Sequence, residues 1–573
     1  MMKKLLAIIL AVVMMFSSAT PAFAADISAE SFFTKVAVKV IDALMTGLTG
    51  MLNSVVKDGE TFVDAKDFAL TDFYEGTQEI LSGPAENSRW SLGYDSRSLV
   101  PENISDYKLF LGGFMAIENA MVNNVKGKTD DMMVRTVALS DGSERGISIF
   151  ATIDCIGMTN TDIRAIRALL ADFAKEKNIN SINIFSTHAH SCIDTQGLWT
   201  ENFKKIPMNL VNGITGKGTS YQGTDPKYMA FLFEKVRKSV EAAVAEMKTG
   251  EMTYAQKDIG EKYFDNRNRE SASALMTDLS RFTFTPDDGS TPTIIANMAA
   301  HPDTAGLPVE SDKDSGHYIS GDYVYYIGET LNKAGYNFLY IGGAICGIYI
   351  GRDPSDEKIE SQKRVEISQR YGRKLGKILL SLTLTEDEIR NDAFLSELTD
   401  REEQLTSDKY VYWYEGWEPV EETTVEPLLN VKIKSVRINV TNNIMILAAK
   451  LNLANHTVIK EDGKYFVSTE IGVLNFGSHT VIMMPGEICQ DLVCGGASLT
   501  AEGSVSGKAF DGKTVREIFG DDVIIFGLAN DAIGYVVPDN DYAIGLDFGH
   551  YHETLSLGKK TASTLISEYE SLK

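Results

Sequence analysis

The chain has 573 residues, 44% of them hydrophobic, five cysteines and a formal net charge of -24. A balance this acidic argues against a nucleic-acid partner and against anionic membrane surfaces. Five cysteines over this length make no disulfide framework, although Cys489 and Cys494 are near enough in sequence to bridge.

Residues 1–24 read as a cleavable secretory signal: Lys3 and Lys4, an apolar stretch from Leu5 to Phe16, then Ala22-Phe23-Ala24. The expectation is a secreted, extracellular bacterial protein whose mature chain begins at Ala25 with a charge of -26 once Lys3 and Lys4 are lost. No later stretch reads as long and apolar enough to span a bilayer. Residues 25–60 form a separate start, in which Phe33, Val36, Val40, Leu44, Leu48, Met51 and Val55 recur at helical spacing and predict an amphipathic helix from about Ser28 to Val56. Such a helix either packs on the main domain or touches a membrane surface or a partner. Residues 61–573 carry no Pro/Ser linker and no solenoid repeat, and read as one domain.

Within that domain, helical patterns run from Thr159 to Lys177, Pro226 to Lys248, Ser320 to Ala334 and Lys358 to Leu380. Alternating strand patterns fill Asn391 to Lys450. Helices alternating with apolar strands predict a layered α/β fold, a mixed β-sheet with flanking helices. Four Ile/Val-rich runs each end on a residue able to bind a metal: SINIFSTHAH (Ser181 to His190), PTIIANMAAHP (Pro292 to Pro302), HTVIMMPGE (His479 to Glu487) and DVIIFGLANDAIGY (Asp522 to Tyr535). Their polar residues fall at the carboxyl ends of buried strands, the edge where open α/β sheets bind ligands, so the expectation is one sheet edge carrying the site.

His188 and His190 are two apart, and in an extended segment they face the same way. Pro302 stops the strand behind His301, and Pro485-Gly486 turns Glu487 outward. Tyr535 is the weakest ligand on chemical grounds, because a phenol is protonated at neutral pH. Two imidazoles, a carboxylate and an open position are what a catalytic zinc requires, and no thiolate occupies these positions to make a closed structural site. The chemistry indicated is hydrolysis.

THAHS, AHP, PGE, GLANDAIGY, NDY and HYHETLSLG, in that order from about residue 90 to the end, resemble the neutral/alkaline non-lysosomal ceramidase family. The resemblance implies that His188, His301, Glu487 and Tyr535 bind a catalytic Zn2+, that His190 faces the scissile amide, and that Tyr551 completes the site. It implies an arginine that holds substrate: Arg267 in Asn266-Arg267 is preferred over Arg269 in Asn268-Arg269. The activity implied is a zinc-activated water cleaving the amide of ceramide or a related N-acyl lipid. Its partners are then a lipid-like small molecule and, at the periphery, a membrane; oligomeric state is not legible.

Two departures bear on substrate. Where the family carries a serine-containing GDVSPN tract, this chain has Ala344-Ile345-Cys346-Gly347-Ile348-Tyr349, in which Cys346 is either a replacement nucleophile or an inert buried thiol. The family's C-terminal β-sandwich is not expected, because only about 20 residues follow HYHET. The alternatives are therefore a zinc hydrolase of a different acyl amide or ester, and a non-catalytic lipid-binding relative. The loop from Thr195 to Asp225 is a candidate lid. Tyr410, Tyr412, Trp413, Tyr414 and Trp417 either line an acyl groove or touch a membrane, or sit as a hairpin with one face in the core. Of the remaining histidines, His317 and His479 read as surface or strand-end residues, His456 has no motif support, and His550 and His552 flank Tyr551 closely enough to enter the site.

Overall fold

The computed structural model describes residues 32–113, 124–217, 221, 223–268, 273–305, 318–351, 364–397, 412–545 and 550–573. The signal segment, Arg269, His317 and Tyr410 lie outside them. The helices used below are α1 (Phe32–Val55), α2 (Asn160–Glu176), α3 (Asn202–Thr215), α4 (Pro226–Ala245), α5 (Asp322–Lys333), α6 (Arg364–Ser381), α7 (Asn443–Lys450) and α8 (Thr561–Glu570). Their ends follow local chemistry. The Thr159 side chain accepts from the Asp162 N–H to open α2, and Asp225 accepts from Lys227 and Tyr228 ahead of a proline at the first position of α4.

The strands form two large sheets. One contains β2 (Trp90–Ser98), β3 (Met133–Ser140), β4 (Ile147–Ile153), β5 (Ile179–Ser186), β6 (Lys248–Asp258), β7 (Asp278–Pro286), β8 (Thr293–Met298) and β9 (Asn337–Gly342), in the order β9-β8-β7-β6-β2-β3-β4-β5, with a two-residue strand beside β6. The other contains β1 (Phe62–Asp64), β10 (Leu429–Asn439), β11 (Val458–Glu461), β12 (Lys464–Phe476), β13 (His479–Met483) and β15 (Ile524–Phe526). β14 (Glu487–Ile488) and β16 (Tyr535–Val536) pair with each other alone. Both large sheets are mixed: β4 and β5 run parallel, as do β8 and β9, and β13 and β15, while most other neighbours are antiparallel.

Period-two patterning makes this a four-layer sandwich. In β3, Val137 and Leu139 face the second sheet while Val134 and Ala138 face α2 and α4. In β13, Val481 and Met483 face inward and Ile482 faces α8. The inner layer is aromatic, with Phe282 and Phe476 at 5.1 Å and Phe185 and Phe526 at 5.9 Å between ring centroids. Each such ring removed from water contributes about 1.5–3 kcal/mol. Outside the first sheet, α5 and α6 pack on β8 and β9. A buried bidentate pair also ties the layers: the Arg167 guanidinium, on α2, donates to both Glu470 oxygens on β12 at 2.7 and 2.9 Å.

Several expectations change here. The four metal-bearing runs belong to two sheets, β5 and β8 in one, β13 and β15 in the other, because face-to-face burial of two apolar sheets covers more surface than one sheet edge. Asn443 to Lys450, placed in a strand-rich stretch, is helical; its Asn442 side chain caps it. Thr195 to Asp225 contains α3 and so is not a plain loop. The aromatic cluster is core: Trp413 and Tyr414 are buried in the apolar cluster around α6, in a turn rather than a hairpin, because their rings fill the space beneath α6. Cys489 and Cys494 are free thiols. Helix α1 lies within the predicted bounds, packs on α7, and is by length and composition apolar enough over Lys35–Val55 to cross a membrane, which the sequence reading did not allow.

Candidate metal centre and its cavity

The carboxyl ends of β5, β9 and β15 converge: the Ser186 N–H donates to the Leu528 carbonyl and the Gly527 N–H to that of Gly342. His188 lies just past β5 and His301 just past β8. Glu487 and Tyr535 face each other across the β14–β16 pair, in parallel register, so backbone hydrogen bonding fixes their separation.

His188 is held by its Nδ1–H, which donates to the Ile156 carbonyl at 2.7 Å; the His301 Nδ1–H donates to the Ile348 carbonyl at 2.8 Å. Both rings therefore turn Nε2 inward, onto one carboxylate oxygen: Glu487 Oε2 lies 3.4 Å from His188 and 3.0 Å from His301. Among the described residues His188 Nε2 has no hydrogen-bond partner. Burial pushes the His188 imidazole down to about 4 and lowers that of His301, while burial raises the Glu487 carboxyl against the pull of His188 and a hydrogen bond from Tyr535. With both Nδ1–H groups donating to carbonyls, two Nε2 lone pairs point at one carboxyl group. Two inward imidazole nitrogens and a carboxyl oxygen, all buried and within bonding reach of one point, form a donor set that fits a metal ion.

The His190 ring lies 4.8 Å from that of His188 and 5.7 Å from that of His301, and ligand atoms of these three histidines all lie within 4.8 Å of one another. Strand alternation does not bring the pair together. Both lie beyond β5, and His188 has a left-handed φ of 66°. Burial first, then the neighbouring imidazoles, keeps His190 neutral. Gly113 has φ 119° and lies so close that a β-carbon there would meet His190 Cβ at 2.6 Å.

Tyr551 lies with its ring 5.9 Å from that of Tyr535 and shares a 2.8 Å hydrogen bond between hydroxyls with Tyr349. Tyr349 stacks on His301 at 4.7 Å, and Arg267 covers the Tyr349 ring at 4.1 Å while pairing with Asp265. The structure thus groups His188, His190, His301, Glu487, Tyr535 and Tyr551, and sets Arg267 one residue back, behind Tyr349. His552 packs on the Tyr535 ring at 4.6 Å, and His550 pairs with Glu553 at 2.8 Å.

Some of these contributors carried no motif. Tyr349 has none, and Asp303, one residue past the His-Pro pair, is visible only as an acid in that turn. His456 lines the cavity and pairs with Asp531 at 2.9 Å. Asp194 accepts from the backbones of Gln196, Gly197 and Trp199 and from the Thr200 hydroxyl, folding the segment that presents Leu198 and Trp199 to the cavity. Cys346 is fully buried, with its thiol pushed well up by that burial, which makes it the inert alternative.

His188, His190, Glu487, Tyr535 and Tyr551 line one cavity of about 140 Å³, open to solvent. Its lining is mostly apolar, and Met445, Ile446 and Ala449 of α7, with Val458, Val467 and Leu557, make up its aliphatic arm. A cavity lined both by convergent polar groups and by aliphatic side chains suits an amphiphile.

No protein-family model matches the chain, and no curated protein matches it by sequence. Its fold is similar to that of the neutral ceramidase from Pseudomonas aeruginosa, with a TM-score of 0.55 and 12% identity over 85% of this chain and 74% of that one. It is likewise similar to a ceramidase complexed with C2, with a TM-score of 0.53 and 10% identity over 85% of this chain and 76% of that one. The chain has the fold of these proteins, as the motif order implied.

Proposed function

We propose that this protein is a secreted zinc-dependent amidohydrolase that cleaves the amide bond of ceramide or a related N-acyl lipid, with residues 61–573 as its catalytic domain. The observation that carries this is the pair of inward Nε2 atoms on Glu487 at the head of an aliphatic cavity. His188, His301, Glu487 and Tyr535 would hold the ion. When bound, Zn2+ supplies a Lewis acid that polarises a carbonyl and brings the pKa of water toward neutrality.

The chain's own residues do the rest. The aliphatic arm takes the acyl chain and excludes water from it. The Tyr551 hydroxyl, steadied by Tyr349, donates to the amide oxygen as negative charge develops there, and neutral His190 accepts or returns a proton at the scissile bond. Arg267 acts through Tyr349, as a positioning residue. Two features support a metal over a thiol nucleophile: Cys346 is buried, and its thiol is held protonated. The aliphatic arm favours a lipid over a small polar amide.

Metal analysis of the purified protein tests this directly. About one Zn2+ per chain is expected, removed by chelators and absent from His188→Ala, His301→Ala and Glu487→Gln, which lose activity on fluorescent ceramide. Tyr551→Phe keeps the metal and loses on the order of 100- to 1000-fold in kcat. A protein free of zinc and indifferent to chelation would sink the enzyme reading. Turnover of another acyl amide or an ester, with none of ceramide, would remove ceramide and leave the metal chemistry standing.

A further inference from the structure

Of the twelve large apolar side chains that stand exposed among the described residues, eight lie on α1 and α3. Leu44, Met51 and Val55 of α1 are 67, 57 and 53% exposed, and Met208, Val211 and Ile214 of α3 are 43, 41 and 37% exposed. The two helices are neighbours: the Lys57 N–H at the end of α1 donates to the Gly213 carbonyl of α3 at 3.0 Å, and a β-carbon on Gly213 would meet Val56 at 2.8 Å. The two helices meet at this end, and each carries its own exposed apolar stripe. Exposed apolar clusters of this kind mark an interaction surface rather than chance exposure.

The place of these stripes in the fold says what covers them. The inner faces of α1 and α3 pack on Ile444 and Leu447 of α7, while Met445, Ile446 and Ala449 of α7 wall the aliphatic arm of the cavity. Helix α7 thus contacts both α1 and α3 and also walls the cavity. Leu198, which packs on the same α1/α3 cluster, also lines the cavity. Lys39 on α1, Lys57 just past its end and Lys217 just past α3 are all exposed, beside the acids Asp58 and Glu60, in a chain of net charge -24. Apolar side chains with lysines beside them match the acyl and phosphate levels of a phospholipid surface, and the ammonium stems reach the phosphates while the helices lie in the interface.

We infer that α1 and α3 seat the protein on a phospholipid bilayer, so that the cavity takes its amphiphilic substrate from the membrane. This rests on the lipid substrate proposed above, but its test does not depend on turnover.

The chain from Ala25 onward is mixed with phosphatidylcholine vesicles and separated by flotation. The parent protein is expected to float with the vesicles, and a triple variant Leu44→Gln, Met51→Gln, Val211→Gln to bind at least about tenfold more weakly. The variant should keep its parent's thermal melting and its rate on a water-soluble short-chain N-acyl substrate, while losing turnover of substrate embedded in vesicles. Flotation stands even if no substrate is turned over, so failure of the activity reading and failure of the docking reading are told apart. A parent protein that stays in the soluble fraction, or a variant that floats equally well, overturns the inference. So does a parent dimer in solution that the triple variant abolishes, since a second copy then covers the stripes.

Discussion

His188 adopts a left-handed backbone, a conformation that costs a residue with a β-carbon roughly 1–2 kcal/mol. The Ile156 carbonyl offsets that cost and selects the tautomer that leaves Nε2 free for an ion. His456 answers to a different partner. Burial alone would lower its pKa, yet the charge and hydrogen bond of Asp531 more than reverse this and raise it above the ordinary 6.5. A raised folded-state pKa means that the stabilisation is complete below the unfolded value of about 6.5 and is lost as pH climbs through the folded one. Thermal melting measured from roughly pH 6 to 9 should therefore fall more steeply for the parent protein than for His456→Gln. Equal slopes would show that the pair does not take up a proton on folding.

At the scale of elements, the segment from Gly527 to Tyr535 places the candidate ligand Tyr535 by folding back on β5. Asn530 stands at φ 58°, a conformation asparagine tolerates. Its side chain accepts from the Ile184 N–H at 2.9 Å and donates to Asn183 at 3.2 Å, and its own N–H reaches the Ile184 carbonyl. Asn530→Ala leaves a buried strand N–H without its acceptor, so a loss of roughly 1–3 kcal/mol is expected, read as a lower urea midpoint at unchanged slope. No change in the midpoint would mean that backbone pairing alone holds the segment. Helices such as α2 were legible to within a residue, because a long 3.6-residue period and a capping threonine mark both face and start. The convergence of His188, His301 and Glu487 was legible for a similar reason, since each follows an apolar run at a strand end. The division of those runs between two sheets was not, because pairing between residues hundreds apart leaves no local trace. Nor was the fate of the Trp413 cluster, whose spacing is the same whether the rings face a groove or a core.

For the whole molecule, cohesion of the layers depends on the phenylalanine interior and on the Arg167–Glu470 pair, both members fully buried. Removing one member strands the other charge, so Arg167→Met is expected to cost about 3–5 kcal/mol, measured by equilibrium unfolding, whereas Arg167→Met with Glu470→Leu should recover much of it. A double variant no more stable than the single one would show that the pair's geometry, not its charge balance, matters.

The candidate ligands are divided evenly, His188 and His301 coming from one sheet, Glu487 and Tyr535 following strands of the other. An ion gripped by all four is a rivet through the sandwich. Its affinity and the adhesion of the two layers are then one free energy viewed from opposite ends. Such an ion would add by linkage to the cohesion that the Phe282–Phe476 contact already gives the layers from deep inside.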